Sequence, residues 1–118
     1  MKIYMYVSIS GEDKISIFTV NPATGKMSLE HEVDVGGRPA PLAVGPQKTH
    51  LHVGRRRDCE ISSYEINQNN GSLTLKTSLS MDSDPNYLAT DRKGNFLFSS
   101  HFGASKVGVH SLNKDGTV

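Results

Sequence analysis

The chain has very little of several residue types that mark common classes of protein. It contains a single cysteine, Cys59, so an intrachain disulfide is impossible and a structural zinc site is disfavoured. Its apolar runs are a few residues long, whereas a membrane-spanning helix needs roughly 20 residues. The first ten residues lack the long apolar region and the small-residue cleavage site of an export signal. We therefore expect a cytoplasmic protein with no membrane partner.

An excess of charge of either sign is also missing. The 13 basic and 12 acidic residues give a formal net charge of +1, and both signs are interspersed along the chain. A general nucleic-acid binder would carry a wide basic face, so we expect no nucleic-acid partner. The one local exception is the triplet Arg55, Arg56 and Arg57, which makes it the first candidate for a binding site.

What the sequence does have is an internal repeat. Residues 4–29 align with residues 50–75 without a gap, an offset of 50 − 4 = 46, and the same offset carries residues 96–113 onto both. Between them, "GGRPAPLAVGPQKT" overlays "DSDPNYLATDRKGN". The chain is therefore predicted to be one partial domain, 1–118, with repeat boundaries near 1–35, 36–81 and 82–118.

Each period is predicted to hold four short strands and no helix. In the second period they lie at about 40–44, 50–55, 60–66 and 72–81, and "NQNNG" forms a hairpin loop between the last two. Four antiparallel strands every 40 to 50 residues are typical of a β-propeller blade. The sequence therefore predicts an all-β fold of four-stranded antiparallel meanders, about 2.6 blades in total.

A partial propeller leaves blade faces without partners. Propellers close with roughly 4 to 8 blades, and the first sheet here lacks its inner strand. We expect either the N-terminal third of a longer protein or a piece that oligomerises. The expected macromolecular partners are the remaining blades or a second copy bound through the exposed blade faces.

Loop geometry selects one rim of the propeller as the candidate site. The first strand of a blade is antiparallel to the second, so the loop entering the first and the loop leaving the second share a rim. This places Arg38 beside the arginine triplet, and Asn86 beside His101. Propellers usually bind ligands where loops converge over the central channel.

The repeat separates structural from functional histidines. Three histidines fall in columns that hold tyrosine or phenylalanine in other repeats and are expected to fill those slots between blades: His50, His52 and His110. His101 differs, because its column holds Ile9 and Arg55. A departure from the repeat in a rim loop makes His101 the candidate catalytic residue.

Two interpretations of the arginine triplet stay open. In one, the arginines form a charged loop tip paired with Asp58, Glu60 or Asp84. In the other, one or two guanidinium groups hold an anionic substrate, because the planar fork matches phosphate and carboxylate. Alternation along the strand end would send Arg56 one way, and Arg55 and Arg57 the other. The candidate substrate-binding residues are Arg56, Arg55, Arg38 and Asn86.

Nearly the whole chain resembles the lactonase family of seven-bladed β-propellers, which includes propeller-type 6-phosphogluconolactonases and carboxy-muconate lactonising enzymes. The resemblance rests on "IYMYVSIS", "VDVGGRPAPLAVGPQKTHLHVG", "SYEINQNNGSLTL" and "PNYLATDRKGNFLFSSHFGASKVGVHSL". Bacterial lactonases tend to carry an arginine soon after the second-blade strand, and Arg56 matches that position.

The resemblance implies hydrolysis of a sugar δ-lactone, most simply 6-phosphogluconolactone. Water attack on the ring carbonyl needs a base and a group that stabilises the oxyanion. His101 would be the base and Arg56 the electrophile or phosphate anchor, with no metal and no cofactor. Two other functions stay open: a non-catalytic propeller that serves as a binding scaffold, and carboxy-muconate lactonisation, which would use the same arginines on carboxylates.

Overall fold

A computed structural model describes residues 2–118 as ten strands in three antiparallel sheets. The strands are β1 (Ile3–Ile9), β2 (Lys14–Val20) and β3 (Met27–Asp34) in the first sheet, β4 (Pro39–Val44), β5 (His50–Arg55), β6 (Glu60–Ile66) and β7 (Leu73–Ser80) in the second, and β8 (Tyr87–Thr90), β9 (Phe96–His101) and β10 (Lys106–Ser111) in the third. Within each sheet, every strand pairs with the next one along the chain, as in the blades of a propeller.

The predicted strands of the second repeat are confirmed to within one residue at each end. The second sheet has all four strands, and the first begins at the equivalent of β5, so β1 lies at the edge of its sheet as predicted. The repeat includes an irregularity in strand pairing. A register shift between Ile17 and Phe18 of β2 recurs 46 residues later between Ser63 and Tyr64 of β6. The sheets therefore share one local geometry.

One short helical element departs from the all-strand prediction. A three-residue 3-10 helix, Ser10–Glu12, joins β1 to β2, and Asp13 ends it in the left-handed conformation, with φ of 56°. Within residues 2–118 no helix is long and apolar enough to cross a membrane.

The "NQNNG" loop forms the predicted turn between β6 and β7. The Asn67 side-chain oxygen accepts hydrogen bonds from the backbone N–H groups of Asn69 and Asn70, at 2.8 and 3.2 Å. Gly71 follows with φ of 76°, a conformation that glycine adopts without strain. Asn21 forms the same turn between β2 and β3.

The core lies between neighbouring sheets. Ile15 and Ile17 of the first sheet pack with the second-sheet residues Leu51, Val53 and Tyr64. A second cluster joins the second sheet to the third and contains Ile61, Leu88 and Leu97. These two interfaces hold three consecutive rim loops beside one another.

The two terminal sheets leave apolar side chains exposed. On the third sheet these are Phe96, Phe98, Val107 and Val109; on the first they include Ile3, Met27 and Leu29. Each set belongs to columns of the repeat, and the corresponding residues of the middle sheet include the buried side chains His50, His52, Ile61 and Ser63. The exposed residues of the third sheet are thus in positions that a neighbouring sheet covers elsewhere in the molecule.

Candidate anion-binding cleft at the rim

Backbone hydrogen bonds bring the predicted rim loops together. The N–H of Arg56 donates to the carbonyl of Arg38 at 3.1 Å, and the N–H of Arg57 donates to that of Gly37 at 2.9 Å. In the next sheet the N–H of Asn86 donates to the carbonyl of Ser100 at 2.8 Å. The predicted adjacency of the loop before a first strand and the loop after a second strand is confirmed.

A cleft of about 290 Å³ opens on this rim, lined by Ser10, Arg38, Arg56, Arg57 and Asp84. Two columns of the repeat supply four of these residues: Ser10 and Arg56 are 46 positions apart, and so are Arg38 and Asp84. Successive loops after the second strands contribute one column, and successive loops before the first strands contribute the other. The cleft is therefore a product of the repeat, and it spans all three sheets.

Arg56 and Asp84 join the second sheet to the third across this cleft. The Nε and Nη2 atoms of Arg56 both donate to Oδ2 of Asp84, at 3.1 and 2.9 Å. The Arg56 guanidinium is the main cause that lowers the pKa of Asp84, and the side chain of Asn86 lowers it further. Asp84 is therefore ionised at neutral pH, and one of its two oxygens is held in a fixed direction.

Arg38 presents a guanidinium without a carboxylate partner. Its backbone N–H donates to Oδ1 of Asp13 at 2.8 Å, while φ of 56° turns the chain sharply before Pro39. Its side chain is exposed, and it forms no ion pair with any residue from 2 to 118, whereas Arg56 does. Of the predicted substrate-binding arginines, Arg38 is the one whose guanidinium is available to a ligand.

Arg55 lies outside the cleft. Its guanidinium donates to Asp58 at 2.7 Å and to Glu60 at 3.0 Å, and its side chain is 16% exposed. These are two of the partners expected for a charged loop tip. Substrate binding by Arg55 stays a prediction, and its ion pairs would have to be replaced for it to occur.

Arg57 was expected to point away from Arg56, yet both residues line the cleft. The expected pairing with Asp58 is present at 3.4 Å, together with a second ion pair to Asp13 at 3.2 Å. Alternation fails because β5 ends at Arg55 and a turn follows, in which Cys59 has φ of 53°. Opposite faces have no meaning in such a turn.

Asn86 positions the neighbouring loop. Its side-chain oxygen accepts a hydrogen bond from the backbone N–H of Phe102, and its backbone follows Asp84 and Pro85 into β8. Asn86 is not among the residues that line the cleft. Its predicted contact with substrate stays a prediction, while its contact with Phe102 orders the loop that leaves β9.

His101 lies at the end of β9 and is only 3% exposed. Its Nδ1 is 2.9 Å from Oγ of Ser83, and its Nε2 is 2.9 Å from Oγ of Ser99. The Ser99 hydroxyl also contacts Nε2 of His110 at 2.9 Å. Because both ring nitrogens have partners and His101 does not line the cleft, the structure does not bring it to the arginines. Its catalytic role stays a prediction.

Sequence reasoning missed Ser10 and Arg57 as cleft residues, and treated Asp84 only as a partner for arginine. The signal for two of them is present in the repeat. Position 10 is the equivalent of Arg56, and position 84 is the equivalent of Arg38, so both columns could have been read as one site. Among residues 2–118 no group of three or more histidine, cysteine, aspartate or glutamate residues could hold a metal ion.

Comparisons with known proteins cover nearly the entire chain. The family model described as "Lactonase, 7-bladed beta-propeller" matches residues 4–118. The 6-phosphogluconolactonase of Xenorhabdus nematophila is 34% identical over 118 residues, which are 100% of this chain and 35% of that protein. The 6-phosphogluconolactonase of Pectobacterium atrosepticum is 35% identical with the same coverage. The chain thus spans about a third of the length of the curated relatives it matches.

Solved structures agree on the fold. The periplasmic gluconolactonase of Pseudomonas aeruginosa superposes with a TM-score of 0.83 at 16% identity, covering 96% of this chain and 35% of that one. A protein from Lactobacillus plantarum superposes with a TM-score of 0.78 at 20% identity, covering 90% of this chain and 34% of that one. At these identities the likeness concerns the arrangement of strands.

Proposed function

Because the chain belongs to the lactonase family of seven-bladed β-propellers, we propose that it carries part of the active site of a sugar δ-lactone hydrolase. The proposed substrate is 6-phosphogluconolactone, the substrate class named in the relatives that are 34% and 35% identical. The activity is proposed for the protein at its full natural length, since the chain covers 35% of those relatives. The predicted cytoplasmic location belongs to the same proposal.

The observation that supports this function is the set of arginines around one cleft. Arg38, Arg56 and Arg57 line it together with a single carboxylate, Asp84. Guanidinium groups bind phosphate and carboxylate bidentately, with hydrogen bonds strengthened by charge. The free guanidinium of Arg38 is the first contact that we propose for the anionic group of the substrate, and Arg56 lies beside it across their backbone hydrogen bond.

The same groups suit the chemistry of a lactone. Water attacks the ring carbonyl, the carbonyl oxygen becomes an oxyanion, and the bond between the carbonyl carbon and the ring oxygen then breaks. Positive groups fixed near that oxygen stabilise the transition state more than the ground state. Because Arg56 and Arg57 are already ion-paired, the unpaired guanidinium of Arg38 is the group best placed to bind the phosphate or to stabilise the oxyanion.

Alanine at the cleft arginines tests the proposal. In the protein at its natural length, Arg38→Ala or Arg56→Ala should lower kcat/KM for 6-phosphogluconolactone about tenfold or more, since a hydrogen bond to a charged group contributes roughly 1.5 to 3 kcal/mol. Arg55→Ala is the matched control: it removes an arginine from the same loop, but one that pairs with Asp58 and Glu60 outside the cleft. Steady-state hydrolysis assays would measure the difference.

Unphosphorylated gluconolactone separates the two roles of an arginine. A phosphate anchor should matter only for the phosphorylated lactone, whereas an oxyanion-stabilising group should matter for both. If the parent protein hydrolyses neither lactone but converts carboxy-muconate, lactonisation replaces hydrolysis. If it converts none of the three compounds, the result favours a non-catalytic propeller that serves as a binding scaffold.

A further inference from the structure

We propose that Asp84 is the general base that takes the proton from the attacking water in the rim cleft. This inference rests on the proposed lactone hydrolysis and names the group that the arginines cannot supply. Asp84 is the carboxylate among the five residues that line the cleft. Removal of a proton from water in the transition state requires a group of this kind, within hydrogen-bond reach of that water.

The contacts of Asp84 hold its carboxylate in the cleft. Arg56 binds Oδ2 through two of its nitrogens, which fixes the position of that oxygen. Both hydrogen bonds from Arg56 end on Oδ2, so Oδ1 is not held by Arg56, although the side chain of Asn86 and the backbone of Asp84 also act on this carboxylate. Its side chain is one-third exposed, which admits solvent and substrate. The hydrogen bonds from Arg56 lower the pKa of Asp84, so its carboxylate is ionised at neutral pH but is a weaker proton acceptor than an unpaired aspartate.

His101 satisfies these conditions less well. It is buried, and each ring nitrogen already contacts a serine hydroxyl. To act as a base it would have to release one of those contacts and reach a cleft that it does not line. Asp84 needs neither change.

The repeat places the base and an electrophile in the same cleft. Arg38 and Asp84 occupy the same position in successive repeats, one in the loop before β4 and one in the loop before β8, and both border the cleft. A lactone carbonyl between them would have a guanidinium on the side of its oxygen. The attacking water would have the carboxylate on its own side. A proton acceptor and an oxyanion stabiliser in one cleft are the two kinds of group that lactone hydrolysis needs.

The proposed step balances without an oxidant or a reductant. Oδ1 of Asp84 accepts a proton from water as the water oxygen bonds to the carbonyl carbon, and the resulting oxyanion faces Arg38. Collapse of the tetrahedral intermediate breaks the bond between that carbon and the ring oxygen. The proton on Asp84 then passes to the ring oxygen, which becomes the hydroxyl of the open hydroxy acid, and the carboxylate of Asp84 is regenerated.

Asp84→Asn in the natural-length protein is the direct test. It removes the base while preserving shape, and we expect kcat for 6-phosphogluconolactone to fall about 100-fold or more, the range for general acid–base catalysis. Asp58→Asn is the matched control, because Asp58 also pairs with arginines of this loop but does not line the cleft. We expect kcat of Asp58→Asn to stay within about threefold of the parent, with both variants melting at similar temperatures.

Chemical rescue tests whether a free carboxylate in the vacated space restores the lost step. Formate added to Asp84→Ala should restore hydrolysis in a concentration-dependent way, since a small carboxylate can take the proton in the vacated space. Asp84→Asn that matches Asp58→Asn, or Asp84→Ala that formate does not rescue, would overturn the assignment. A large loss in His101→Ala with intact Asp84→Asn would return the role to His101. Lack of hydrolysis by the parent protein would instead refute the proposed function.

Discussion

His52 is buried at an aromatic position of the repeat but, unlike its equivalents Tyr6 and Phe98, carries a group whose ordinary pKa lies near neutral pH. The equivalent positions hold Tyr6 and Phe98, and His52 fills the same slot with none of its surface exposed. Its Nδ1 contacts Oγ of Ser63 at 2.9 Å, while its Nε2 is buried without a hydrogen-bond partner among residues 2–118. Burial, with a smaller effect of His50, lowers the pKa of His52 to about 4.

This shift makes the stability of the fold depend on pH. The folded state holds His52 neutral down to about pH 4, whereas the unfolded chain protonates it near 6.5. The unfolded state therefore binds more protons between these values. The stabilisation is complete above about pH 6.5 and is lost as the pH falls towards 4, by roughly 3 kcal/mol. Urea unfolding of the natural-length protein at a series of pH values would measure this loss.

A variant isolates the contribution of His52. His52→Phe places the side chain of Phe98 in the same slot and removes the titrating group. The pH dependence of the free energy of unfolding should then be shallower by most of that amount, although His110, whose pKa is also lowered by burial, still contributes. Equal slopes for His52→Phe and the parent between pH 6.5 and 4 would contradict the burial of a neutral His52.

At the scale of the strands, Gly54 in β5 allows two prolines from neighbouring segments to pack closely against the strand. A Cβ atom on Gly54 would lie 2.4 Å from Cγ of Pro41 and 3.1 Å from Cγ of Pro85. Pro41 belongs to β4, and Pro85 precedes β8, so the glycine lets both proline rings pack against β5. Proline rings have few alternative positions, which makes this contact hard to relax.

Gly54→Ala should therefore destabilise the protein by about 1 to 3 kcal/mol, the usual cost of overpacking. Thermal or urea unfolding would detect the change. Gly103→Ala serves as the control, because an added Cβ there meets nothing within 4 Å, and we expect a shift below about 0.5 kcal/mol. Equal stabilities of the two variants would show that the proline contact relaxes at little cost.

Regular elements followed from the sequence more readily than the turn residues between them. Period and alternation were sufficient for the strands, and Asn67 with Gly71 marked a turn, because those signals are local. The direction of Arg57 was not predictable from alternation, since it lies in a turn with Cys59 in the left-handed conformation. The ring nitrogens of His101 contact Ser83, which precedes the third sheet, and Ser99 in β9, and the period of the sequence does not indicate these contacts.

At the scale of the whole molecule, the three sheets pack only on one another and leave two outer faces. Val107 and Val109 on the third sheet are 79% and 62% exposed, whereas their equivalents in the first two sheets are buried. The repeat predicted these sheets and their order. The cleft could not be predicted from the repeat alone, because its residues come from four loops and meet only when all three sheets are stacked.

The apolar outer faces predict association of the 118-residue chain. Apolar surface of this kind is normally covered, and a second copy presents the same columns of residues. Sedimentation velocity should show species larger than a monomer, increasing with protein concentration. The double variant Val107→Lys and Val109→Lys should shift the distribution towards the monomer. A compact, cooperatively folding monomer at every concentration would contradict this prediction.

The shared position of Arg38 and Asp84 has a consequence for how such a site can arise by gene duplication. Duplication of a 46-residue unit places the equivalent residue at the equivalent point of the rim, so the backbone of a new site is already positioned. A codon change at that single place then decides whether a unit supplies a cation or a proton acceptor. Charge stabilisation and proton transfer can in this way be divided between sister units by substitution at one position, without any change in the path of the chain.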